Sequence, residues 1–132
     1  MRDFFLSEWL QLPAPGQTNV MAVAFDTGAR STRAELPRGV RCATAWPAMT
    51  IESGGSVSFV LEASDSDADG ATFEALETFT LTGGTSPTPA GSHAFRELQP
   101  DARRFIRVRQ TVSADAGSDP ARWSGRHFLE VR

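Results

Sequence analysis

The densest group of potential metal ligands in the sequence is an acidic run in the middle of the chain. It reads Asp65-Ser66-Asp67-Ala68-Asp69-Gly70, which matches the first half of a calcium-binding loop. Such a loop needs a bidentate Glu at its twelfth position, and Leu76 stands there, between Glu74 and Glu77. We therefore interpret residues 65–69 as a solvated acidic turn and keep cation binding as an open alternative.

A second acidic candidate follows an apolar stretch nearer the N-terminal end. Asp26-Thr27-Gly28-Ala29 comes directly after this stretch and resembles the active-site turn of retroviral-type aspartic proteases. In that family two such carboxylates, one from each subunit of a homodimer, share a proton. The family also needs a later apolar-apolar-Gly segment, for which Thr80-Leu81-Thr82-Gly83 is a poor match. Asp-Thr-Gly is also an ordinary turn sequence, so a homodimeric protease remains an alternative.

The remaining candidates for chemistry are two histidines and one cysteine. His93 and His127 lie far apart in the sequence, and no Ser or Cys motif accompanies them. Cys42 is the single cysteine, so no intramolecular disulfide can form, and its apolar neighbours predict a buried, unreactive thiol. No glycine-rich phosphate loop or multi-Cys or multi-His metal spacing occurs. We therefore predict no enzymatic activity, no catalytic residue, no metal and no cofactor.

Period-two alternation of apolar and polar residues is the strongest structural signal in the chain. It runs through residues 56–64 and through residues 103–112, where Arg107 and Arg109 take outward positions. Segments of this kind, with turn residues between them and no clear helix, predict an all-β protein. We expect a single-domain antiparallel β-sandwich or jelly roll of about eight strands. The strand candidates are 19–26, 40–46, 49–52, 56–64, 71–82, 93–98, 103–112 and 123–131.

Three segments give more specific predictions about single strands and turns. Residues 19–26 are apolar on both faces, which predicts a central strand that is covered on both sides. Ser53-Gly54-Gly55 predicts a tight hairpin turn. Residues 71–79 space their large apolar side chains three apart, as a helix does, but their threonines favour a strand.

Length and charge narrow the class of protein. The chain has 132 residues and a formal net charge of −3, which suit one domain without a field that would favour nucleic acid or an acidic membrane. No targeting signal and no apolar stretch of the roughly 20 residues in a membrane span is present. Residues 1–16 predict an N-terminal arm or edge segment, and residues 17–132 the β-sandwich domain. Such an arm packs on the domain or docks on a neighbouring subunit.

Taken together, these segments resemble the small jelly-roll cement, or decoration, proteins of tailed-bacteriophage capsids. The features that carry the resemblance are the apolar start of the chain, the strand that ends in Asp26-x-Gly28-Ala29, residues 58–65 with the acidic turn and the run around Phe73, Phe95-Arg96-x-Leu98-Gln99-Pro100, residues 104–113 and residues 124–131. These features shape a fold, and none of them is catalytic.

The resemblance implies a virion structural protein. Such a protein is made in the host cytoplasm, binds the exterior of the mature shell as a homodimer or homotrimer, and has the major capsid protein as its partner. The implied partners include neither nucleic acid nor a membrane. We predict contacts to the shell or between subunits from Phe4, Phe5, Leu6, Trp9, Arg30, Arg33, Arg38, Arg107 and Arg109.

A third hypothesis is a carbohydrate-binding β-sandwich module. It rests on Trp9, Trp46 and Trp123, since exposed indole rings stack on sugars. Nothing in the spacing of these residues requires it, and we expect the three tryptophans to be buried.

Overall fold

The computed structural model describes residues 4–21, 23–26, 40–66, 68, 70–96 and 105–131, with the side chains of residues 4–6, 26, 40 and 131 left aside. These residues contain two short 3-10 turns, Ala114–Ala116 and Pro120–Arg122. No helix among them is long and apolar enough to cross a membrane. The strands are β1 (Phe4–Gln11), β2 (Thr18–Val20), β3 (Phe25–Asp26), β4 (Val40–Trp46), β5 (Ser56–Ser64), β6 (Glu74–Thr82), β7 (Gly91–Ala94), β8 (Phe105–Val112) and β9 (Ser124–Val131).

The strands form two antiparallel sheets that pack into a sandwich. Sheet A has the order β1-β9-β4-β7, and sheet B has the order β2-β8-β5-β6. β2 and β3 pair with successive parts of β8, so together they occupy one strand position in sheet B. The pairing is nested: β1 with β9, β2 and β3 with β8, β4 with β7, and β5 with β6. One long hairpin rolled up in this way is a jelly roll, which confirms the predicted all-β sandwich of eight strands.

The hydrophobic core lies between the sheets because the alternating strands turn one face inward. β5 and β8, adjacent in the middle of sheet B, contribute Phe59, Leu61 and Ile106, all fully buried. Leu129 of β9 meets them from sheet A. Trp46 stacks against Phe59 with ring centroids 6.0 Å apart. The alternation predicted for 103–112 is confirmed over residues 106–112, and that predicted for 56–64 is confirmed from Ser56 to Phe59. From Val60 to Ser64 it is wrong, because every residue is buried, including Glu62 and Ser64 on the side predicted to face water.

The prediction of one central strand over residues 19–26 is wrong. The segment forms two short strands at the edge of sheet B, interrupted between Val20 and Phe25. Met21 turns into the core at the break, and its sulfur accepts the Val108 N–H at 3.4 Å. Val23 is 69% exposed. The apolar residues on both faces therefore reflect a break in the strand rather than cover on both sides.

The turn at residues 53–55 does not form the predicted hairpin. The strand that was preferred over a helix in residues 71–82 is confirmed as β6. Gly54 adopts φ +88°, as a tight turn requires. However, β4 before the turn belongs to sheet A and β5 after it to sheet B, so the turn is part of a crossover and not of a hairpin. Residues 49–52 form only an isolated bridge, Met49 to Thr88. β6 is extended and pairs with β5, so the helical alternative for residues 71–79 is wrong.

Candidate functional site

The outer face of sheet A carries a step between large and small side chains. In one cross-strand row, Arg126 of β9 lies between Trp9 of β1 and Ala45 of β4. In the neighbouring row Phe128 of β9 lies between Ser7 and Ala43, so β4 again places an alanine beside a large side chain of β9. The step leaves a groove of about 240 Å³ lined by Trp9, Ala45, Trp46, Pro47, Ser124, Arg126 and Phe128.

Arg126 is held between two aromatic rings at this step. Its guanidinium carbon lies 5.1 Å from the Trp9 ring centroid and 4.8 Å from that of Phe128, distances at which a cation is attracted to a ring face. Its Nη2 donates a long hydrogen bond of 3.4 Å to Ser7 Oγ, and its buried Nε has no hydrogen-bond partner among the residues that the structure describes. The Trp9 side chain is 64% exposed. The groove therefore combines an exposed indole with a cation whose hydrogen-bonding capacity is only partly used.

A buried polar network crosses the sandwich behind this face. Thr44 Oγ1 lies 2.8 Å from His127 Nδ1, and His127 Nε2 lies 2.9 Å from Gln110 Oε1. Gln110 Nε2 donates to the carbonyl oxygen of Gln11 and to Asn19 Oδ1, both at 3.1 Å. Since the glutamine oxygen must accept, His127 Nε2 carries the proton, and Nδ1 accepts from the threonine hydroxyl. In the neutral imidazole these bonds therefore select the tautomer that is protonated at Nε2.

The burial of His127 favours the neutral form of its imidazole. Burial lowers the pKa of His127 from 6.5 to about 4, because the charged form loses its hydration. Thr44, Gln110 and His127 are all fully buried, so the network ties the sheets together rather than serving as an exposed acid or base. Gly125 leaves the space it needs, since a Cβ there would stand 2.5 Å from Gln110 Oε1.

The sequence predicts a strand around His127, and the alternation of β8 and β9 also contains a signal for this network. Gln110 shares the inward parity of Ile106 and Val108 in β8, and His127 shares that of Leu129 in β9. Two inward polar side chains on strands of opposite sheets need partners in the core. They therefore predict each other as a hydrogen-bonded pair.

His93 belongs to a second junction, where the edge strands β7 and β6 of the two sheets meet. Its Nε2 donates to Glu77 Oε2 at 3.0 Å, and its ring stacks on Phe79 with centroids 4.2 Å apart. The Arg96 N–H donates to Glu77 Oε1 at 2.7 Å. Partial burial raises the pKa of Glu77, but the hydrogen bonds from Arg96 and His93 outweigh it and keep the pKa below its ordinary value. This carboxylate holds the two edges together.

Arg107 and Arg109, both predicted contact residues, are engaged within the chain. Arg107 Nε lies 2.8 Å from Glu62 Oε1, and Arg109 Nη2 lies 3.0 Å from Glu62 Oε2. Arg107 also covers the Phe73 ring, with its guanidinium carbon 3.8 Å from the centroid. The Glu62 side chain is only 3% exposed beneath them. The arginines therefore form the cross-strand carboxylate pairs that such a face usually shows.

Of the other predicted contact residues, the structure describes Trp9 in full. Phe4, Phe5 and Leu6 lie in β1, the edge strand of sheet A, and their side chains lie outside the described residues. β1 pairs with β9 along its whole length, so residues 4–11 are part of the sandwich. The remaining candidates, Arg30, Arg33 and Arg38, lie outside the described residues.

The three tryptophans do not share one environment. Trp46 is buried as expected, and its Nε1 donates to the Pro89 carbonyl oxygen at 3.0 Å. The expected burial is wrong for Trp9 and for Trp123, which is 37% exposed. Trp123 Nε1 donates to Asp119 Oδ2 at 3.2 Å, so this indole is anchored at the surface by a carboxylate.

The residues that could support catalysis or metal binding are only partly described. Cys42 is fully buried, which confirms the predicted burial, and burial raises the pKa of its thiol to about 12, so little of the reactive thiolate forms. Within the described ranges, no group of His, Cys, Asp and Glu side chains could hold a metal ion. Asp67 and Asp69 of the acidic turn lie outside those ranges, so cation binding there stays a prediction. Asp26 ends β3 opposite Phe105, and the two residues after it also lie outside.

Comparison with known proteins gives no family. No protein-family model matches the chain, and no curated protein matches it. A chain from the disulfide-linked pili of Bacillus endospore appendages is 15% identical with a TM-score of 0.44, and covers 98% of this chain and 85% of that chain. PirA is 8% identical with a TM-score of 0.46, and covers 100% of this chain and 96% of that chain. Similarities this low carry no argument about function.

Proposed function

We propose that this chain is a non-enzymatic structural protein of a virus particle, a cement protein that binds the exterior of an assembled icosahedral shell. One observation carries the proposal: three segments behind the resemblance to phage decoration proteins, 58–65, 104–113 and 124–131, coincide with β5, β8 and β9. These strands lie inside their sheets and supply much of the core. The residues that motivate the functional expectation are therefore the residues that build the jelly roll.

A jelly roll of this kind stabilises a shell without chemistry. A ligand that binds the assembled shell and not its free subunits shifts the assembly equilibrium by mass action. Because the same contact repeats over the closed surface, weak individual interfaces add through avidity. A rigid body suits this task, and the buried His127 network and the Glu77 junction each join sheet A to sheet B.

The pairing of β1 decides how the contact region is tested. Deletion of residues 1–12 would remove an edge strand and the buried Leu12, so the remaining chain is expected to lose stability as well as any contact. Point substitutions of exposed side chains separate these effects. The full chain should be mixed with purified mature shells that lack it, followed by sedimentation and thermal release of the genome.

The expected result is saturable co-sedimentation at a fixed ratio to the shell protein, with shells that open at a higher temperature. Shells that pellet without the protein, or whose opening temperature stays unchanged when it binds, would contradict the proposal. A peptidase assay at acidic pH is a useful parallel measurement. The protease hypothesis predicts activity that is lost in Asp26→Asn, whereas a cement protein gives the same shell binding in both forms.

A further inference from the structure

We propose that the groove on the outer face of sheet A binds a sugar ring that carries a carboxylate, a unit of an acidic polysaccharide. This inference does not depend on the proposed function, since it concerns the isolated chain. It rests on three properties of the groove: an exposed indole wall, a lone cation with unused donors, and a width that suits one ring.

Trp9 forms one wall of the groove. A tryptophan of a soluble chain usually buries most of its surface, yet this one is 64% exposed. It lies on a paired strand, opposite Arg126, and the guanidinium packs against its ring. The indole is thus fixed in place before any ligand arrives, which reduces the entropy cost of binding. The C–H face of a pyranose is apolar and stacks on such a ring, while its hydroxyls stay at the wet rim.

The charge of the groove selects an acidic sugar. Among the described residues that line the groove, Arg126 is the only charged one, and none carries a carboxylate. Within the described residues, Arg126 Nε is buried without an acceptor, and Nη2 has only the 3.4 Å contact to Ser7. Arginine binds a planar carboxylate with two parallel hydrogen bonds. A carboxylate on a stacked ring would accept from the two terminal nitrogens of Arg126, since the buried Nε lies out of its reach, and Ser124 adds a neutral polar residue to the lining.

The dimensions of the groove fit a sugar better than a protein surface. Trp9 and Ala45 both pair with Arg126, so they stand two strand spacings, or about 10 Å, apart. A volume of about 240 Å³ lies just below the roughly 300–1,000 Å³ of sites for drug-sized ligands. Beyond Ala45 the face continues over the exposed Ser92 and Ala94 of β7, whose small side chains leave room for the next units of a chain.

The test uses the full chain and three acidic probes: oligogalacturonate, hyaluronan oligosaccharide and oligosialic acid. Binding is followed by calorimetry and tryptophan fluorescence, with a neutral galactose oligomer for comparison. We expect at least one acidic probe to bind at millimolar concentration or below, and Trp9→Ala to weaken it about tenfold or more. Arg126→Gln should reduce the affinity for that probe to the level of the neutral oligomer. Trp123→Ala, at an exposed tryptophan outside the groove, should bind like the native chain.

Several outcomes overturn the inference. The inference is wrong if none of the three probes binds, or if Trp9→Ala binds the acidic probe as tightly as the native chain does. It is also wrong if Arg126→Gln still binds the acidic probe more tightly than the neutral oligomer. Both variants should melt near the native temperature, because their side chains lie on the outer face. If no probe binds and Trp9→Ala instead abolishes shell attachment, the groove belongs to a protein interface. If the probes bind and shells do not, the proposed function fails and the sugar site stands.

Discussion

Acidification should destabilise the fold through His127, and the magnitude follows from its burial. Its pKa is about 4 in the folded chain and 6.5 when exposed. Between pH 6.5 and 4 the imidazole is therefore protonated in the unfolded chain and neutral in the folded chain. Stability from this group is therefore complete above pH 6.5 and is lost as the pH falls towards 4. At about 1.4 kcal/mol per pKa unit, the loss is roughly 3 kcal/mol. Urea unfolding at a series of pH values between 7 and 4 measures it.

The carboxylates also titrate near the lower end of this range, so the comparison needs a matched variant. His127→Gln keeps a hydrogen-bonding side chain that cannot titrate. Between pH 6.5 and 4 the free energy of unfolding of this variant should fall by roughly 3 kcal/mol less than that of the native chain. With only two histidines in the chain, NMR can follow each imidazole separately, and His93→Gln assigns the signals. Parallel stability curves, or a His127 signal that titrates near 6.5 in the folded chain, would refute the reasoning.

Three further predictions concern stability and reactivity. Gly125→Ala should lower the free energy of unfolding by about 2 kcal/mol, because its Cβ would stand 2.5 Å from the side-chain oxygen of Gln110. Gly84→Ala, where no described atom lies within 4 Å of the new Cβ, should leave it nearly unchanged; urea unfolding measures both. Glu62→Gln should cost about 2 kcal/mol by breaking two ion pairs of a buried carboxylate with partly exposed arginines; an equal loss from Glu52→Gln, at an exposed carboxylate, would contradict this. Cys42 should react with a thiol reagent only as fast as the chain unfolds, and rapid labelling of the native protein would show that the thiol is not buried.

The sequence predicted the strands whose side chains alternate and failed where one residue changed the course of the backbone. In β5 and β8 each inward apolar residue supports the same assignment as its neighbours, so the pattern determines the strand. Residues 19–26 look equally regular, but Met21 leaves the strand to fill the core and accepts a β8 N–H in place of a backbone carbonyl. Periodicity records which residues are apolar and not which backbone hydrogen bonds are made.

The sequence predicted some residues of the candidate site but not the pairings between distant strands that bring them together. Trp9 was among the predicted contact residues, but the groove beside it also needs Ala45 of β4, far away in the sequence, which the register of β4 against β9 brings opposite Arg126. The two arginines of β8 were predicted as outward, which is correct, while their shared partner Glu62 follows only from the register of β5 against β8. Such pairings between distant strands decide which surface groups remain available for a ligand.

The proposal of a cement protein is tested most directly by counting the chain in purified virus particles. Quantitative mass spectrometry gives its copy number relative to the major shell protein. The proposal predicts a fixed, stoichiometric ratio that is the same in independent preparations and is reached only in mature particles. A chain that is absent from particles, or present at a few copies in each, would contradict it.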